Sequence, residues 1–190
     1  ILGAVLLIFG AGFAYIYFNF FSTGPLAVLS IENGNVMYKA DGDWQKASSG
    51  MTLKQGYSVK TLDLAKAKII FTDSVMRLDS NTEIAVDELS PQKVSLSQSL
   101  GNTWTRLLKI SGITEYSITT PDAVATVRGT GFAVDVGEKT EVKVAEGNVA
   151  VDTYTEVNGE KKTITESSVG AGEQTTVNEG QEKIEKEALQ

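Results

Sequence analysis

Arg128-Gly129-Thr130-Gly131 is the segment of this 190-residue chain best suited to holding a ligand. Successive amides around two glycines can turn toward one phosphate, with Arg128 adding charge, so a weak anion nest is one expectation. The other is structural: the glycines shape a bulge or tight corner between strands, and Arg128 pairs with a nearby carboxylate. No helix pattern follows, unlike the phosphate-cradling glycine motifs that open one. Asp41-Gly42-Asp43 offers two carboxylates where calcium needs about 6–8 oxygens, and it reads as a turn. Asp73, Asp79, Glu83, Asp87 and Glu88 could furnish an acid/base pair of the kind that hydrolyses glycosides, but nothing fixes their separation. The chain has no cysteine and no histidine. That removes thiolate nucleophiles, disulfides, Ser-His and Cys-His pairs, and zinc sites built from sulfur or imidazole. No catalytic, cofactor-binding or metal-binding residue is expected, and the protein is not expected to be an enzyme.

The net charge of −7 speaks against nucleic acid, whose phosphates need clustered Lys and Arg. The charge is unevenly spread: no residue from Ile1 through Ile31 is charged, and Glu32 is the first. The run ILGAVLLIFGAGFAYIYFNFF is long enough, at about 1.5 Å per residue, for a helix to cross a hydrocarbon core of about 30 Å. Its second half carries Phe13, Tyr15, Tyr17, Phe18, Phe20 and Phe21, and tyrosines suit a membrane–water interface. Gly10 and Ala14 stand at the small-x-x-x-small spacing that lets membrane helices touch. No Met and no basic flank precede Ile1. Either further residues lie upstream, or cleavage before Ile1 leaves an apolar helix as in type IV pilins and archaeal filament proteins.

The elements downstream of this run must position those candidates. Ser22-Thr23-Gly24-Pro25 ends the helix, because Pro25 lacks an amide hydrogen and Gly24 adds freedom. From Leu26 to about Val177 the period changes to two, and Phe132, Val134, Val136, Val142 and Val144 alternate with small or charged residues, as in half-buried strands. The clearest runs are Asn35 to Lys39, Tyr57 to Thr61, Lys66 to Phe71, Thr82 to Val86, Tyr116 to Thr119, Gly131 to Val136, Glu141 to Val144 and Asn148 to Asp152. Turns at Asp41-Gly42-Asp43, Glu146-Gly147-Asn148 and Asn158-Gly159 separate them. Many short strands so punctuated indicate a sandwich, barrel or solenoid.

One design is used twice. Glu32-Asn33-Gly34-Asn35-Val36 recurs as Glu146-Gly147-Asn148-Val149, and each is followed by a second glycine turn, at Gly56 and Gly172. Leu100 to Ile113 suits either a helical turn or a strand. Beyond Asn178, Glu182 with Lys186 and Lys183 with Glu187 stand at helical i,i+4 spacing. The expected organisation is an apolar transmembrane or assembly helix over 1–22, a linker over 23–26, a β-domain over 27–177, and a charged, solvated tail over 178–190 that is helical or frayed.

Thr120-Pro121-Asp122-Ala123 through Val127-Arg128-Gly129-Thr130-Gly131-Phe132-Ala133-Val134 resembles the core signature of the FecR family. Leu53 to Thr61, Ala67 to Ser74 and Met76 to Leu89 are similar to its upstream blocks. Val144-Ala145-Glu146-Gly147-Asn148-Val149-Ala150-Val151 is similar to its later Glu-Gly-x-Val block. The resemblance covers about Val28 to Val177. It departs where the family's Gly-Asp is Gly56-Tyr57 and where Asp73-Ser74 lacks the intervening glycine. It implies a FecR-like all-β domain of stacked short strands, a sandwich or solenoid-like roll, standing outside the cytoplasm behind one membrane helix. The family's regulators carry a sigma-binding segment ahead of that helix, which does not appear ahead of Ile1 in this sequence.

Two functions are expected from these readings. One is a non-catalytic, membrane-anchored binding or scaffolding module at the cell surface or in the periplasm, working by protein–protein contact. The other is a subunit of an extracellular filament or surface assembly, a homo-oligomer whose N-terminal helices pack in the core.

Overall fold

The structure is a computed structural model that describes residues 27–108, 113–127, 129–157 and 160–189, with the backbone alone for 156–157 and 160–161. The helix and linker expected over 1–26, Gly10, Ala14, Arg128 and the Asn158-Gly159 turn lie outside the described residues. Among those described there are seventeen strands and no helix, hence none long and apolar enough to cross a membrane.

In chain order the strands are β1 (Ala27–Asn33), β2 (Val36–Lys39), β3 (Gln45–Lys46), β4 (Thr52–Leu53), β5 (Ser58–Thr61), β6 (Lys66–Ile70), β7 (Ser74–Leu78), β8 (Glu83–Leu89) and β9 (Lys93–Leu107). There follow β10 (Glu115–Thr119), β11 (Ala123–Val127), β12 (Gly131–Val136), β13 (Thr140–Glu146), β14 (Asn148–Val157), β15 (Glu160–Gly170), β16 (Glu173–Val177) and β17 (Lys186–Ala188). They pair into two layers. The first runs β4-β1-β6-β7-β9-β12-β13-β16-β17. The second runs β3-β2-β5-β8-β9-β10-β11-β14-β15. All pairs are antiparallel except β9 with β10.

The long strand β9 serves both layers. Its first half pairs with β8 and β10, and from Gly101 onward it pairs with β12 and then β7. Gly101 makes the crossing possible: its φ is +85°, and a Cβ there would stand 2.5 Å from the Cα of Thr82. Gln98 holds the same bend. Its side-chain amide donates to the carbonyls of Gly101 (2.6 Å) and Val134 (3.1 Å), and its oxygen accepts from the Thr103 hydroxyl (2.8 Å). A buried amide with these partners is satisfied where an unpaired one would be costly.

Alternation in sequence becomes inside and outside in space. In β6, Ala67 and Ile69 are buried while Lys66 and Ile70 are exposed; in β12, Phe132, Val134 and Val136 face the core. Leu29, Ile69, Met76, Leu78, Ile84, Leu96, Ile118 and Phe132 are almost wholly enclosed between the layers, each such side chain contributing about 1.5–3 kcal/mol. The all-β domain is as expected.

Two local expectations resolve differently. Leu100 to Ile113 is strand rather than helix as far as Leu107; Thr103, Thr105 and Leu107 point inward while Trp104 and Arg106 point outward. Over the described residues 178–189 the tail is not helical: Lys186–Ala188 forms β17 against β16. The free edge of β16 outweighs charges at i,i+4 spacing, which offer an isolated helix only about 0.2–0.5 kcal/mol per pair. Thr175 Oγ1 donates to the Glu185 carbonyl (2.6 Å) and the Leu189 amide to the Gly172 carbonyl (2.7 Å). Lys183 pairs with Glu185 rather than Glu187.

Candidate functional site

The Thr120-to-Phe132 segment is a hairpin strand with a locked corner at each end. At its start, Thr120 Oγ1 accepts from the Ala123 amide (3.0 Å). Thr140 Oγ1 lies 2.9 Å from Thr120 Oγ1 and 2.7 Å from Asp122 Oδ2, and Asp122 Oδ1 accepts from the Glu179 amide (2.9 Å). From β14, the Tyr154 hydroxyl reaches the carbonyls of Thr120 (2.5 Å) and Pro121 (2.8 Å). One turn thereby ties β11, β13, β14 and the segment after β16.

At its end, the chain leaves β11 in the second sheet and enters β12 in the first. Gly129 is buried with φ +61°. Thr130 is buried, and its hydroxyl donates to the Asn148 carbonyl (3.0 Å) while its carbonyl accepts from the Leu107 amide (2.9 Å). The strand register shifts at Gly131, opposite Glu146. Gly147, φ +81°, packs so closely on this corner that a Cβ would meet Thr130 Oγ1 at 2.9 Å and the Gly129 carbonyl at 3.1 Å. Phe132 lies edge-on to Tyr116, ring centres 6.5 Å apart. Gly129, Thr130, Gly131 and Phe132 are all buried, so their groups are engaged in packing and in chain crossing.

The carboxylates that could have furnished acid/base chemistry are dispersed. Asp79 pairs with Lys66 (3.1 Å), Glu88 with Lys93 (3.2 Å), and Asp87 accepts from the Ser97 hydroxyl (2.6 Å). Asp41 and Asp43 flank Gly42, φ +83°, in the turn between β2 and β3. Among the described residues no group of three or more Asp or Glu could hold a metal ion.

Residues 57–150 match the family described as FecR protein. The chain carries a domain of the FecR family. Two crystal structures of a putative anti-sigma factor from Parabacteroides distasonis ATCC 8503, at 1.65 and 2.50 Å resolution, share the fold of this FecR domain. For each the TM-score is 0.56 and the identity 19%, covering 69% of this chain and 59% of that one. The chain therefore spans less than two thirds of the length of those chains. No curated protein matches it.

Sequence reasoning missed one surface of the FecR domain. On the outside of the first sheet, a groove of about 540 Å³ is lined by Ile70, Val75, Arg77, Trp104, Arg106 and Leu108, among others. Arg77 lies over the Trp104 ring, 5.5 Å from its centre. Lys68 stands beside them in register and pairs with Glu32, and its hydrogen bond holds the Glu32 carboxyl below the usual range. Each strand shows only an outward residue at every second position. The grouping needs the registers of β6, β7 and β9, which no single run reveals.

Proposed function

We propose that the protein is a non-catalytic, membrane-anchored binding and scaffolding module whose FecR domain stands outside the cytoplasm and works by contact with another protein. The match to the FecR family over residues 57–150 carries this reading. The uncharged stretch from Ile1 through Ile31 supports the anchor. The structural neighbours are of a putative anti-sigma factor, and that likeness favours regulation through a protein partner over catalysis.

The contact we favour is the edge of the second sheet. Among the described residues β15 pairs with β14 alone, leaving backbone groups that an extended segment of a partner can join. A photo-reactive residue at the exposed Thr163 of the full chain, in its native membrane, tests this against one at the exposed Glu138. The expected result is one defined adduct with a different protein from position 163 and none from 138. Adducts with further copies of the same chain alone would instead favour the filament-subunit reading, and no adduct from Thr163 would remove the edge.

A further inference from the structure

The outer face of the first sheet is sorted into three rows. In the row nearest Ala27, where the chain enters the domain, Val28 stands opposite Ile70 and Ile70 opposite Val75, with Arg106 beyond. Leu108 lines the same groove, and Ile70 and Leu108 are 41% and 56% exposed. Two residues along each strand, Lys68, Arg77 and Trp104 stand in register. Two residues further come acids: Glu32, Asp79 bonded to Lys66, and Asp135 bonded to Asn102. Asp73 and Glu146 are the acidic groups at the apolar end, and the Asp73 carbonyl there accepts from the Leu108 amide (3.0 Å).

Successive rows lie about 7 Å apart. That matches the headgroup layer of a bilayer, about 5–8 Å on each side of the hydrocarbon. Apolar groups at one level, Trp with Lys and Arg at the next and carboxylates farthest out is the order of a lipid–water boundary. Arginine and lysine extend their stems along apolar surface and keep their charges at the phosphates, and anionic lipid attracts them. Lys68 already pairs with Glu32, so the attraction of this end for anionic lipid rests chiefly on Arg77 and Arg106, which line the groove.

We infer that this end of the first sheet seats on an anionic lipid surface beside the chain's point of entrance at Ala27. Ile70 and Leu108 reach the acyl boundary, and Lys68, Arg77 and Arg106 contact lipid phosphates. The inference rests on the anchored reading of the chain. The native chain has no cysteine, so a spin label on Leu108→Cys, with Thr176→Cys in the acidic row as control, reports its surroundings in the full chain.

In vesicles of phosphatidylcholine with phosphatidylglycerol, label 108 becomes accessible to lipid-dissolved oxygen and shielded from an aqueous nickel chelate, while label 176 stays in water. Reversing Lys68, Arg77 or Arg106 to Glu lowers the docked-to-free ratio about fivefold or more per residue, and pure phosphatidylcholine lowers it as well. If the chain floats with vesicles but label 108 remains in water, the seating is wrong and the anchor stands. Lipid contact indifferent to charge, or shielding that comes from label–label proximity between copies, also overturns it. A chain that does not float with vesicles overturns the anchored reading and this inference together.

Discussion

Gly147 and Thr130 fit together with no room for a methyl group: a Cβ on Gly147 would stand 2.9 Å from the Thr130 hydroxyl oxygen. The Glu-Gly-x-Val block and the Arg-Gly-Thr block, separated in sequence, are thus two halves of one corner. At this corner β11 passes to β12 and β13 passes to β14, each between layers. Gly147→Ala would force both a positive φ on a non-glycine residue, costing on the order of 1–3 kcal/mol, and a displacement of Thr130. Gly131 has no positive φ, and a Cβ there meets Glu146 at an ordinary 3.6 Å. Thermal melts are expected to fall clearly for Gly147→Ala and little for Gly131→Ala. Equal melting temperatures would mean that the corner is not locked as described.

Tyr154→Phe removes the hydroxyl that satisfies the Thr120 and Pro121 carbonyls. Leaving the buried Thr120 carbonyl short of a donor costs about 1–3 kcal/mol, while Pro121 is exposed and its carbonyl can turn to water. Chemical denaturation is expected to show that loss with an unchanged slope.

Tyr116→Phe should behave in the opposite way. Tyr116 is fully enclosed against Phe71 and Phe132, and among the described residues its hydroxyl faces only the nearby buried Thr105 hydroxyl, with which it makes no well-aligned hydrogen bond. Burial pushes the phenol far above its usual range. Deleting a poorly paired buried hydroxyl while keeping the ring is expected to leave stability unchanged or raise it; a loss above about 1 kcal/mol would show that the contact with Thr105 is a full hydrogen bond.

Much of this architecture was legible. The recurrent glycines Gly34, Gly56, Gly147 and Gly172 all take positive φ. Gly34 and Gly147 mark passages from the first sheet to the second, Gly56 a similar passage and Gly172 the reverse. Phe132, Val134, Val142 and Val144 are buried as their alternation requires. Leu100 to Leu107 resisted reading because β9 changes layers at Gly101, and only the packing of Gly101 on Thr82 identifies that crossing. The tail misled because i,i+4 charges describe a solvated helix equally well as a strand docking on β16. Arg128-Gly129-Thr130-Gly131 drew attention as an anion nest; burial of Gly129, Thr130 and Gly131 favours the corner instead. The row of Lys68, Arg77 and Trp104 depends on three strand registers, and local pattern carries no information about register between distant strands.

Asp152 and Glu166 stand directly opposite on β14 and β15. Partial burial, then the charge of Glu166, raises the Asp152 carboxyl above its usual range. A carboxyl raised on folding penalises the ionised native state: the penalty is full above the raised value and fades as pH falls through it toward the ordinary one. Glu166→Gln is therefore expected to stabilise the domain near pH 7, by a few tenths to about 1 kcal/mol, with the gain vanishing near pH 3. A gain independent of pH would exclude charge repulsion as its origin.

Surface labelling of the full chain in its own cells decides whether an apolar N-terminal segment holds the FecR domain outside the cytoplasm. Thr176 is exposed and the chain has no other cysteine, so Thr176→Cys gives a single reactive thiol. A membrane-impermeant maleimide is expected to label intact cells, and the chain to resist carbonate extraction but be released when residues 1–23 are deleted. Labelling only after lysis, or extraction of the full chain by carbonate, would contradict it.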